Sequence, residues 1–194
     1  MTVADSILKP TRKYWTKEEY YRLVDLGGFE GQRVFLFRGE IIQRPPKKHP
    51  HACTIMQMSR ILFAAYDAAF SIRVQLPFEA VGDSEPEPDF LVCHSSDGRR
   101  ERHPNTALLV IEVAWTSVQI DKEKAKEYAA ANIPEYWLID VDQRQLVRYA
   151  RPIRDATSET GFIYSESRVL GENETIEFPA LRDRSMKLKD CLPE

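Results

Sequence analysis

Residues 107–114 read Ala107-Leu108-Leu109-Val110-Ile111-Glu112-Val113-Ala114. A near-continuous apolar run of this kind is typical of a strand covered on both faces. A helical pattern over Val118–Ala131 follows it, and then a second apolar strand over Glu135–Val141. Upstream, Pro88-Asp89 ends a polar loop and opens a shorter apolar strand, Phe90–Cys93. A helix set between buried strands supports an α/β or α+β fold with a mixed central β-sheet.

Further out, Thr16 and Glu19 have the spacing of a capping box, which starts a helix running to about Leu26 and stopped by Gly27-Gly28. The segment Arg33–Gln43, broken at Gly39-Glu40, reads as a hairpin-like strand pair or one bent strand. Pro45-Pro46 and Pro50 mark a loop carrying Lys47, Lys48 and His49. The longest helical pattern spans His51–Phe70, and Ile72–Val81 alternates as a strand. Ser95–Asn105 reads as a polar loop carrying Arg99, Arg100 and Arg102. After Glu135–Val141 come a strand at Gln145–Tyr149, a polar loop at Pro152–Glu159, and two strand-like runs at Phe162–Leu170 and Thr175–Phe178 that would form a hairpin at the sheet edge.

The 194 residues fit a single domain, with residues 1–15 as an N-terminal extension and 152–194 as C-terminal strands and tail. Hydrophobic content of 43% and charged content of 29% suit a globular chain that buries its own core. The formal net charge of -3 gives no bulk attraction to nucleic acid, so a polyanion would need local basic patches or bound cations. Three scattered cysteines, Cys53, Cys93 and Cys191, suggest neither a disulfide framework nor a zinc cluster. Met1–Lys13 lacks the apolar run of a signal peptide, and no stretch is apolar for long enough to span a bilayer. The expectation is a cytoplasmic protein with no membrane contact.

Two carboxylates carry the chemistry. Asp89 enters one strand and Glu112 sits toward the far end of another, so pairing of those strands would bring both to one rim of the sheet. Mg²⁺ takes one or two carboxylates together with waters and phosphate oxygens, and the backbone carbonyl of Val113 is a natural further ligand. The plainer alternatives are a loop-end carboxylate for Asp89 and a lysine partner for Glu112. A carboxylate inside an apolar strand is nevertheless costly unless a cation or hydrogen-bond donors meet it. The next helix offers Lys122, Lys124 and Lys126, any of which could stabilise charge growing on a phosphate, and geometry alone does not choose among them.

At these residues the chain resembles the Uma-type restriction endonuclease family, a branch of the PD-(D/E)XK nuclease superfamily. The resemblance runs from about Thr16 to Arg151. Its pieces are Gly39-Glu40, His51, Glu85-Pro86-Glu87-Pro88-Asp89, Ile111-Glu112-Val113, and Lys124 and Tyr128 followed by Ile133-Pro134-Glu135-Tyr136-Trp137-Leu138-Ile139-Asp140. It implies a restriction endonuclease-like fold, with a mixed central sheet flanked by helices and extra edge hairpins. It also implies Mg²⁺- or Mn²⁺-dependent hydrolysis of phosphodiester bonds, with DNA as substrate, a homodimer as assembly and no organic cofactor.

By position, Asp89 and Glu112 resemble the family's two acidic metal ligands. The superfamily's lysine would stand two places after Glu112, where this chain has Ala114; Lys124, four before Tyr128, resembles a lysine displaced to the following helix. Glu40, His51, Glu87 and Lys126 are secondary candidates. Ile120 stands four before Lys124, where relatives carry an acid, with Asp121 beside it. Two further expectations stay open beside the nuclease: a nucleic-acid-binding module of the same fold that cuts weakly or not at all, and a structural or regulatory partner protein.

Overall fold

The computed structural model describes residues 11–98, 101–115 and 118–194. Residues 1–10 of the expected extension, and Arg99 and Arg100 of the expected basic loop, lie outside them.

Helix α1 (Lys17–Asp25) opens on the expected capping box. Thr16 Oγ1 accepts from the Glu19 N–H, and Glu19 accepts in return from the Thr16 N–H, at 3.2 and 3.0 Å. Gly27, at φ 75°, takes the left-handed position just past the helix, and the Gly28 N–H reaches back to the Leu23 carbonyl. Strands β1 (Val34–Phe37) and β2 (Glu40–Gln43) pair antiparallel around Arg38-Gly39. Both turn residues have positive φ, the conformation that matches the twist of a two-residue hairpin.

Helix α2 occupies His49–Ala65, a frame shifted toward the N-terminus of the expected His51–Phe70. Pro50 is tolerated because a first-turn N–H has no partner within the helix. Tyr66 turns extended, and Phe70 opens β3 (Phe70–Val74). The expected strand to Val81 stops at Val74: Gln75 has φ 54°, and the chain turns inward, Phe78 N–H bonding the Pro86 carbonyl. Next come β4 (Phe90–His94), the one-turn helix α3 (Ser95–Gly98), β5 (Leu109–Ala114), α4 (Val118–Ala130) and β6 (Glu135–Asp140).

Strand β7 (Gln145–Arg154) runs through Pro152, where a loop was expected. Past Arg151, whose N–H still bonds the Pro134 carbonyl, this strand pairs among the described residues only with β8 (Phe162–Gly171), so the proline N–H is missing on a side that has no described strand neighbour. The hairpin at this edge is β7–β8. The run at β9 (Thr175–Glu177) pairs instead with β10 (Ser185–Lys187), a strand that the sequence pattern did not announce.

Six strands form one sheet in the order β3-β4-β5-β6-β7-β8; β5 and β6 are parallel, joined by α4, and the other pairs are antiparallel. Helix α2 and the C-terminal segment cover one face, with Met58, Leu62, Phe178 and Leu188 over Phe90, Ile111, Val113 and Trp137. Helix α4 and the loop at Phe78 cover the other, over Leu91, Val110, Tyr136 and Leu138. The result is the expected mixed central sheet flanked by helices. No helix among the described residues is long and apolar enough to cross a membrane.

Candidate active site

Strand alternation places Glu112 on the α4 face, between Ile111 and Val113, which point to the α2 face. The β4–β5 register pairs Phe90 with Ile111; continued by one residue it sets Asp89 opposite Glu112. Asp89 lies just beyond the paired part of β4, and its Oδ2 accepts the Val113 N–H at 2.9 Å. Oδ1 accepts from the Gln75 amide at 2.9 Å, and His51 Nε2 stands 3.4 Å from Oδ2. The left-handed turn at Gln75 that ends β3 thus also serves the carboxylate.

Glu112 is 3% exposed. Its Oε1 accepts from Lys124 Nζ at 3.0 Å and from the Tyr128 hydroxyl at 2.8 Å. Lys124 and Tyr128 are four apart on α4, one turn above the other, which is why both reach one oxygen. Lys124 Nζ also donates to Asp121 Oδ1 at 2.8 Å. Tyr136, on β6, donates to the Asp121 carbonyl at 2.8 Å and ties the first turn of α4 to the sheet.

Two buried carboxyls, of Glu112 and Asp121, therefore hold one buried ammonium, and Asp89 is a third buried carboxyl close enough to Glu112 to act on it. Burial pushes the Glu112 carboxyl up to about 7; Lys124 opposes this, while Asp121 and Asp89 add to it. For Asp89 burial also acts upward, but His51, the Val113 N–H and Gln75 outweigh it and hold this carboxyl below its usual range. Burial favours loss of the Lys124 proton, yet Glu112 and Asp121 together raise its pKa above the ordinary value. Lys124 is a fixed cation, and Glu112 is the group on which surplus negative charge falls.

These residues form the floor of a cavity of about 190 Å³, which Val113 and His51 also line. Its walls come from Phe35 and Ile42 on the hairpin, from Pro45 and Pro46, and from Trp115 and Ile120. Arg33, Arg44, Lys47 and Lys48 add positive charge. Arg44 stacks 4.9 Å from the Phe35 ring centre, and Lys124 stands 5.5 Å from the same ring. His51 Nδ1 and Arg44 Nε are buried and meet no hydrogen-bond partner among the described residues.

The other sequence candidates lie elsewhere. Glu40 is exposed, 3.5 Å from Arg12, and faces a different depression. Glu87 pairs with Arg44 at 3.4 Å, behind the cavity wall. Lys126 pairs with Glu123 at 2.9 Å, and Lys122 is exposed. Two members of the cluster were not picked out as site residues. Asp121 was legible as an acid three before Lys124, and Tyr128 as the tyrosine at the next turn.

A complete cage is not present: among the described residues no group of three or more His, Cys, Asp or Glu side chains is gathered to hold a metal ion. The cavity offers the smaller donor set that Mg²⁺ takes when waters and phosphate oxygens complete its shell. Among the described residues both hydrogen bonds to Glu112 fall on Oε1, which leaves Oε2 without a protein donor there.

A family model named Uma2 and described as "Putative restriction endonuclease" matches residues 17–189. A solved structure described as a putative nuclease belonging to DUF820, from Anabaena variabilis ATCC 29413, superposes with a TM-score of 0.67 at 16% identity. The match covers 91% of this chain and 96% of that one, and at this identity it is a likeness of fold. No curated protein shows a significant match.

Proposed function

The chain belongs to the Uma2 family, and from that premise we propose that it is a metal-dependent nuclease hydrolysing phosphodiester bonds in DNA. The observation that carries this reading is the meeting of Asp89, Glu112 and Lys124 in one cavity, where the buried carboxyls of Asp89, Glu112 and Asp121 outnumber the buried ammonium of Lys124. Such an excess fits a divalent cation, Mg²⁺ or Mn²⁺, held by Asp89, Glu112 and the Val113 carbonyl. When bound, that cation supplies polarisation of the phosphate and acidification of water.

The chain's own residues do the remainder. Lys124 stays protonated and so acts on charge, as a donor to the phosphate oxygens, and not as the base that takes the water proton. Its ammonium has three donors, of which Glu112 and Asp121 use two. Tyr128 and Lys124 fix the orientation of Glu112, and Gln75 and Val113 fix that of Asp89. In the reaction the attacking water gives up a proton to solvent as its oxygen forms the new P–O bond, the bridging P–O bond breaks, and the leaving oxygen takes a proton from solvent. A homodimer would supply two such centres for the two strands of a duplex.

The test is to incubate the protein with circular single-stranded DNA and with plasmid, in Mg²⁺ or Mn²⁺, beside Asp89→Ala and Glu112→Ala. The expected result is cleavage lost in both variants; cleavage persisting equally in both rules this site out. A second reading, a nucleic-acid-binding module that does not cut, draws support from the protein donors already engaging both carboxylates. A salt-dependent gel shift with no metal-dependent turnover would select it.

A further inference from the structure

We propose that this site takes DNA as a single strand or a frayed strand end, one nucleotide entering the cavity, and not as the closed double helix. The inference rests on the nuclease reading above and names its substrate class.

The first observation is depth. The side chains of Asp89, Glu112 and Lys124 are only 8%, 5% and 8% exposed. They form the floor of a cavity of about 190 Å³. A duplex carries its phosphates on the outside of a stiff rod. Bringing one of them to this floor would press the neighbouring sugars and base pairs into Pro45, Pro46 and Ile120. A single strand turns about each backbone bond and can lower one phosphate with its own sugar and base.

The second observation is the chemistry of the walls. Ile42, Pro45, Pro46, Trp115 and Ile120 are apolar. A wall of this kind receives the face of a base, which stacks without regard to sequence, and has no use for a phosphate alone. Pro45 and Pro46 fix their own φ angles and stiffen the wall.

The third is the placement of the cations. Arg33, Arg44, Lys47 and Lys48 come from one short segment of chain and line the same cavity. Burial lowers the Lys47 pKa, Asp89 opposes this, and Arg33 and Arg44 add to the lowering, which places Lys47 near both the carboxylate and the other cations. Positive charge beside an apolar slot suits a strand whose flanking phosphates stay outside while one base goes in.

The experiment uses three fluorescein-labelled DNAs: a single strand without self-complementarity, its blunt duplex, and that duplex with a single-stranded overhang. Anisotropy measures binding in EDTA and in Ca²⁺, and gels measure cleavage in Mg²⁺. The expected result is binding of the single strand and the overhang at least about tenfold tighter than the blunt duplex, with cleavage in the same order. Ile120, 45% exposed, is a position where a larger side chain narrows the slot without disturbing the core. Ile120→Trp should weaken single-strand binding about tenfold and leave the weak duplex binding and the thermal midpoint unchanged. Lys48→Gln should lower the salt slope of binding by about 1.

Equal or tighter binding of the blunt duplex overturns the single-strand assignment and leaves the nuclease reading standing. So does an unchanged single-strand affinity in Ile120→Trp. Single-strand preference without cleavage of any substrate overturns the nuclease reading and upholds the slot.

Discussion

Glu112 binds its proton more tightly in the folded chain than in the unfolded one. Its carboxyl is raised to about 7 from an ordinary 4.5, chiefly by burial. Between those two values the folded state carries more protons than the unfolded state, so stability falls as pH rises through the window and stays lower above it. Urea unfolding in EDTA at pH 5 and pH 8 should show this loss for the wild type and a smaller one for Glu112→Gln. Equal losses would mean that Glu112 is not the titrating group. Tyr128→Phe removes a buried donor from the same carboxylate. It should cost about 1.5–3 kcal/mol, the range for a hydrogen bond to a charged group. It should also move the acid limb of the pH–rate profile upward, because the charged form loses a donor. An unmoved limb would make Tyr128 a packing residue only.

At the scale of elements, the β1–β2 hairpin positions one wall of the cavity through a turn that only certain residues accept. Gly39 has φ 73°, and a Cβ built there would lie 2.9 Å from Tyr14 Cβ and 3.2 Å from the Trp15 carbonyl oxygen. Gly39→Ala should therefore cost about 1–3 kcal/mol, read as a lower urea midpoint with an unchanged slope. The Gly39-Glu40 break and the Thr16–Glu19 box were legible because turn and cap chemistry act over a few residues. The end of β3 was not, because Gln75 has no local reason to turn left-handed; its side chain and backbone serve Asp89, fourteen residues away. Pro152 misled for a related reason: whether a proline may sit in a strand depends on whether that side of the strand has a neighbour.

For the molecule as a whole, cation binding to the native state alone should stabilise it. At a hundred times the dissociation constant the gain is about 2.7 kcal/mol. Mg²⁺ should raise the thermal midpoint above that in EDTA, more at pH 8 than at pH 6, where Glu112 holds a proton that the cation must displace. Asp89→Asn and Glu112→Gln should each abolish the shift; a full shift in both would place the cation elsewhere.

The sequence by itself determined the order of the central elements and marked Glu112 as an acid inside a buried strand, because apolar period and length act along the chain. It could not show that Asp89 lies opposite Glu112, since register between strands is set by long-range pairing. Nor could spacing alone pick Lys124 from the three lysines of α4; the family likeness pointed to it, and the packing of α4 on the sheet turned that ammonium inward. Only tertiary structure brought Arg44 and Lys47 over carboxylates dozens of residues downstream, because a cavity is enclosed by segments that no local pattern connects.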